Sequence, residues 1–297
     1  MLRRLGAVLF SASAALAHAF SGSIVDAPFV ARAMTRGAIV WDVRPASAYA
    51  AGHLPGAVSV GFVAQALLDE KSQLFLPVEA IARRLGEAGI DPAREIVVYG
   101  GGGSAYAYFA QVALEHFGAR RVHVFHDGFE AWQAGKRAIS ASPSTRRPVV
   151  VKLRANRALL VTTNEVVDRV GNPAVQFVDA RRLGEFVGEE SETLHGGHIP
   201  GALHVHYAEH FVDPDTPRKL MARETTDRSG MALKDRAGLA RLYARLDPRM
   251  ETIVYCHTGI RASMTAAMLA RLGFRNVRLY HASWLEYGNR LDPPVAR

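Results

Sequence analysis

One cysteine stands in the 297-residue chain, Cys256, within the stretch VYCHTGIRAS from Val254 to Ser263. A lone thiol has no partner in its own chain, so it is either a small buried apolar filler or a reactive group. Its neighbours favour reactivity. The apolar run Ile253 to Tyr255 ends just before it, and Gly259 and Arg261 follow. Cys256 therefore opens a loop between a strand and a helix expected to begin near Arg261 or Ala262. In a parallel sheet such a loop, at the carboxyl end of a strand, is where ligands sit. Free N–H groups and the dipole at a helix N-terminus favour an anion, a thiolate included, and Arg261 adds a fixed positive charge. Gly259 lets the backbone approach a bound anion closely. A thiolate so placed is a nucleophile for covalent group transfer. His257, beside it, is placed either to protonate a leaving group or to face solvent.

The elements that must position this loop occur twice. An apolar strand ending in Asp42-X-Arg44 and followed by a Gly52-His53 turn is matched by one ending in Asp179-X-Arg181 and followed by Gly197-His198, with eight extra residues before the second His. Further on, strands Ile96 to Tyr99 and Ile253 to Tyr255 each lead into a loop, a helix, and another strand, Val122 to Phe125 or Val277 to Tyr280. Met264, Met268 and Leu272 recur at fourfold spacing on one helix face, and Gly273 is placed as its C-cap. Strands alternating with helices predict an α/β fold with a parallel-rich sheet in each half. The repeat is a duplicated domain. A Ser-, Pro- and Arg-rich stretch, Ser140 to Val150, reads as an exposed linker. The expected division is residues 1–19 as a leader, 20–140 as one domain, 141–156 as linker, and 157–297 as a second domain.

The leader has Arg3 and Arg4 before an apolar run, Leu5 to Ala17, and a small-residue site at Ala17-His18-Ala19. That order is expected of a cleaved secretory signal, against an uncleaved anchor or a transit peptide, and predicts an exported, periplasmic protein. The run is too short to span a bilayer. A composition of 49% hydrophobic and 22% charged residues excludes fibrous and extensively disordered classes. The net charge of +8 comes from Lys and Arg that never form a run longer than two, which argues against nucleic acid and remains compatible with small anionic substrates.

The Asp-X-Arg strand, the Gly-His-Ile-Pro-Gly-Ala turn, the YCHTGIRAS loop and the YHASWLEY stretch together resemble the rhodanese family of sulfurtransferases in its two-domain form, over nearly the whole chain after the leader. The resemblance implies two tandem rhodanese-like domains. It implies a thiosulfate sulfurtransferase in which Cys256 takes a sulfane sulfur as a persulfide and passes it to cyanide or a thiol, with no cofactor or metal. The second domain would be catalytic. In the first, Gly100 of GGGGS stands where Cys256 does, and this loop lacks the Gly-Lys-Ser/Thr ending of a phosphate-binding P-loop. Six residues from Cys256 through Arg261 match the sulfur-transferring members, whereas the related dual-specificity phosphatases have seven.

The site implied for the substrate comprises Arg261, Arg181, His257, Thr258, Gly259 and Ile260. Family members carry Gly-Arg-Phe or Gly-Arg-Tyr after the second Asp-X-Arg, and here it is Gly184-Glu185-Phe186, which leaves Arg181, Arg182 or Arg261 to hold the donor anion. Thr258 stands where thiosulfate-preferring members carry Lys and mercaptopyruvate-preferring members carry Ser or Thr. Arg261 can grip a sulfonate-like anion, so thiosulfate is placed ahead of 3-mercaptopyruvate. The rival reading is a module that carries a persulfide to a protein partner, or merely binds one, without turnover.

The remaining candidates read as structural. His53 and His198 are expected to make hydrogen bonds at their turns, and Asp179 and Arg181 to form a buried pair ordering the active loop. His204, His206 and His210 do not converge readily on one metal. Trp284, Tyr287, Phe129 and Trp132 are expected in the core or at a domain interface.

Overall fold

Short β-branched runs bounded by turns become ten parallel strands in the computed structural model, which describes residues 20–297. The secretory signal expected over 1–19 lies outside the described residues. The first sheet comprises β1 (Ile24–Val25), β2 (Ile39–Asp42), β3 (Val58–Ser59), β4 (Ile96–Tyr99) and β5 (Val122–Phe125), in the order β1-β5-β4-β2-β3. The second comprises β6 (Leu160–Val161), β7 (Val175–Asp179), β8 (Leu203–His204), β9 (Glu251–Tyr255) and β10 (Val277–Tyr280), in the order β6-β10-β9-β7-β8. The two orders are the same, strand for strand, as the duplicated sequence requires. Every pairing within the sheets is parallel, and the central strands are buried on both faces, so they read as continuous apolar runs.

Helices cover both sheets, and two of them join the halves. The helix Ala105–His116 after β4 packs against the helix Ile260–Leu272 after β9. Phe109 and Ala113 of the first share one core cluster with Met264 and Met268 of the second. The fourfold methionine spacing thus marks the domain interface, and Gly273 ends the helix at φ 99°. That helix begins at Ile260, one residue before the earliest expected start, because Gly259 at φ 84° turns the chain directly into it.

Residues 141–156 carry no helix or strand and are tied to the first domain. Ser144 N–H donates to the Tyr49 hydroxyl at 3.0 Å, Val149 N–H to the Gly86 carbonyl at 2.9 Å, and Asn156 N–H to the His116 carbonyl at 2.6 Å. Phe20, the first of the described residues, is buried in the core of the second domain. Among the described residues no helix is long and apolar enough to cross a membrane.

Candidate active site

β9 delivers Cys256 to the carboxyl edge of the second sheet, where the thiol is buried. The Gly259 N–H donates to Cys256 Sγ at 3.2 Å, the geometry expected of a loop that stabilises negative charge on sulfur. Gly259 is required twice over. Its φ of 84° is left-handed, and a Cβ there would stand 2.6 Å from His281 Nδ1 and 2.8 Å from the His281 carbonyl.

The loop is held from behind by the segment after β10. Cys256 N–H donates to Ser283 Oγ at 3.2 Å, and Ser283 Oγ donates to the Tyr280 carbonyl at 2.7 Å. Trp284 N–H donates to the Cys256 carbonyl at 3.0 Å and Leu285 N–H to the His257 carbonyl at 2.9 Å. Ser283 was not singled out by sequence reasoning. The signal was available in the repeat, since Ser283 falls opposite Gly128, and both adopt positive φ, 54° and 67°.

Arg181 is placed differently from the expected donor to a substrate anion. Its guanidinium is buried, bonded to Asp179 at 2.7 Å and to the Gly197 carbonyl at 2.6 Å, and lies 4.2 Å from the Trp284 ring centre. Its Nε and Nη2 are committed to the carboxylate and the turn, and it does not line the cavity that lies between the domains. The buried pair with Asp179 is formed as expected, and through Arg181 it is tied to the Gly197-His198 turn. Arg44 repeats this arrangement with Asp42, the Gly52 carbonyl and the Phe129 ring. The turn histidines are structural too, with His198 Nδ1 donating to the Phe186 carbonyl and His53 Nδ1 to the Tyr49 carbonyl, both at 2.9 Å.

Glu185 is not a bystander. Arg261 donates to its carboxylate twice, through Nη1 at 2.7 Å and Nη2 at 2.8 Å, across 76 positions of sequence. Burial would raise the Glu185 carboxyl, but the Arg261 hydrogen bonds and charge prevail and hold it at about 2. Arg182 is turned to Glu185 and Glu190 on the surface. His257 is part-buried, 3.4 Å from Glu192, and burial lowers its pKa against the pull of that carboxylate.

Thr258, Ile260 and Arg261 line a cavity of about 660 Å³ between the domains, whose opposite wall includes Arg44, Phe62, Gly101 and Tyr106. Cys256 itself does not line it. The first-domain GGGGS loop has no thiol and is filled from across the interface. Met231 packs on Gly103, where a Cβ would meet it at 2.6 Å, and Arg228 donates to the Gly102 carbonyl at 3.1 Å.

The candidate histidines do not converge. His204 Nε2 donates to the Arg181 carbonyl at 2.8 Å, while buried His210 shares a hydrogen bond with Tyr243. No cluster of three or more metal-ligating side chains occurs among the described residues. Trp132, Trp284 and Tyr287 are buried in the cores, as expected, while Phe129 is part-buried against the first-domain core.

Two copies of one strand order, with a cysteine loop in one and a glycine loop in the other, correspond to a known domain. The rhodanese-like domain matches residues 27–135 and again 162–290. The chain belongs to the rhodanese-like family. Its rhodanese-like sequence is 33% identical over 261 residues to a thiosulfate sulfurtransferase of Corynebacterium glutamicum, covering 83% of this chain and 80% of that protein. It is 30% identical over 258 residues to a thiosulfate sulfurtransferase of Azotobacter vinelandii, covering 86% and 90%. The tandem fold is similar to the crystal structure of SseA from Escherichia coli, a 3-mercaptopyruvate sulfotransferase, with a TM-score of 0.72 and 27% identity over 88% of this chain and 98% of that one. The anaerobic ergothioneine biosynthesis enzyme of Chlorobium limicola shares the fold, with a TM-score of 0.75 at 21% identity over 92% and 70%.

Proposed function

We propose that this rhodanese-like sulfurtransferase works through a persulfide on Cys256, taking a sulfane sulfur from thiosulfate or 3-mercaptopyruvate and passing it to a thiophilic acceptor such as cyanide or a thiol. The observation that carries the reading is the Gly259 N–H aimed at Cys256 Sγ at the start of a buried helix. With thiosulfate, the Cys256 thiolate attacks the outer sulfur, the sulfur–sulfur bond breaks, and sulfite leaves with the electron pair. The acceptor then removes the outer sulfur and the thiolate returns, so the two half-reactions give ping-pong kinetics. The Gly259 amide and the helix N-terminus stabilise the anionic sulfur at each stage. Thr258 and Ile260 line the cavity beside the Cys256 loop. The first domain contributes the opposite wall and no thiol. Export to the periplasm belongs to the same proposal and rests on the leader sequence alone.

The test is cyanide-dependent thiocyanate production with thiosulfate and with 3-mercaptopyruvate, beside Cys256→Ser. Turnover by the parent and none by the variant is expected. Loading of one sulfur per chain without turnover would replace the enzyme by a persulfide carrier.

A further inference from the structure

The cavity between the domains has a charge pattern that bears on which sulfur compounds enter it. Three guanidinium groups line it, and each is already paired. Arg44 is bonded to Asp42 at 2.6 Å, Arg228 to Glu130 at 3.2 Å, and Arg261 to Glu185 at 2.7 Å. Among the described residues lining the cavity, no arginine is left to meet a dianion. Much of the remaining wall is apolar or aromatic, from Phe62, Tyr106, Tyr207, Leu220, Met221 and Ile260. Arg261 stands in the first turn of the helix that follows the Cys256 loop; burial would lower its pKa, but the Glu185 hydrogen bonds, ahead of a charge on Cys256, raise it. Its partner Glu185 is therefore the group that decides whether the loop presents a free cation.

A small dianion has no apolar body to bury and must compete with the Glu185 carboxylate for the Arg261 fork. A monoanion carried on an apolar group loses less by that competition and gains by covering the aromatic wall. We propose that Glu185 is a specificity-determining residue which, by occupying Arg261, turns the enzyme away from small dianionic sulfur donors and toward low-charge donors with an apolar body. The inference rests on the sulfur-transfer reading above.

Thiosulfate and benzenethiosulfonate separate the two classes, since both lose their outer sulfur to the Cys256 thiolate. The sulfur–sulfur bond breaks in each, and sulfite or benzenesulfinate departs with the electron pair. Wild-type kcat/KM for benzenethiosulfonate is expected to exceed that for thiosulfate by about tenfold or more, as one charge-assisted contact is worth. Glu185→Gln frees Arg261 and should move the ratio toward thiosulfate by about tenfold, through KM for thiosulfate. Glu185→Asp, which keeps the carboxylate, should hold the ratio near that of the wild type. A ratio that Glu185→Gln leaves unchanged, or a wild type that prefers thiosulfate, overturns the inference while sulfur transfer stands. Turnover of neither donor by the wild type overturns sulfur transfer and this inference with it. Because the wild-type preference is itself a test, a Glu185 variant that fails to fold leaves the proposal open to refutation.

Discussion

Ser283 accepts the N–H of Cys256 at 3.2 Å from a left-handed backbone conformation, φ 54°, that Gly128 adopts at the matching place in the first domain. A side chain is tolerated there in the half that carries the thiol, and its hydroxyl bridges the Cys256 amide and the Tyr280 carbonyl. Ser283→Ala would keep the strained backbone and leave a buried N–H unpaired, at a cost of about 2–3 kcal/mol. Ser283→Gly relieves the strain and should cost about 1 kcal/mol less. Urea titration of the two variants compares them, and equal losses would mean that the hydroxyl and the φ value are not both felt.

The Arg181–Asp179 pair is dry, with side-chain exposures of 2% and 0%, whereas Arg44 is 12% exposed beside Asp42. Arg181→Ala strands a buried carboxylate and should cost about 3–5 kcal/mol. Arg44→Ala should cost less, because water reaches that pair. Denaturation midpoints rank the two, and the reverse ranking would count against the burial argument.

His281 is buried between rings, 4.4 Å from Phe75 and 5.9 Å from Phe109, with neither ring nitrogen bonded. Burial depresses its pKa to about 4 from an ordinary 6.5. Below 6.5 the unfolded chain takes up the proton first, so stability is fully present above 6.5 and lost as pH falls through 4. His281→Phe should remove up to about 3 kcal/mol of that acid-side loss. His206, held at about 4, and His210, at about 3, act in the same direction and preserve the rest. Melting temperatures of parent and variant at pH 7.5 and 5 measure the difference, and parallel curves would refute it.

Glu115 has the opposite sign. Burial raises its carboxyl to about 7 from 4.5, in spite of the Ser21 hydrogen bonds that oppose the rise. Its contribution is fully present below 4.5 and is lost as pH climbs through 7. Glu115→Gln should therefore flatten the stability curve between pH 5 and 8 by about 2–3 kcal/mol. A slope that the substitution leaves unaltered would show that Glu115 is ionised throughout.

Across the interface, Met231 and Arg228 touch the first-domain glycine loop by different means. Met231 is buried, and Met231→Ala should cost about 2–5 kcal/mol. The Arg228–Glu130 pair is 34% and 43% exposed, and Arg228→Ala should stay within about 1 kcal/mol. Thermal unfolding of both variants would expose an error in either value.

The duplication, the Cys256 loop and the Asp-X-Arg and Gly-His turns were legible from residue order alone. Each is local: a β-branched run makes a strand, Gly259 makes a left turn, and an aspartate two residues before an arginine pairs with it. A second copy of the same pattern then dictates a second sheet in the same order. Which partners Arg181 and Arg261 take was decided only by packing. Sequence shows three arginines near one loop, but Arg181 is folded beneath Trp284 and Arg261 is closed on Glu185, partners brought together by the sheet and not by spacing. The cavity between the domains, and the Arg228–Glu130 pair on its wall, exist only once the Ala105–His116 and Ile260–Leu272 helices lie against each other. Residue types along a chain set what a loop can do chemically, while which charge is free to do it depends on long-range neighbours that only the folded interior selects.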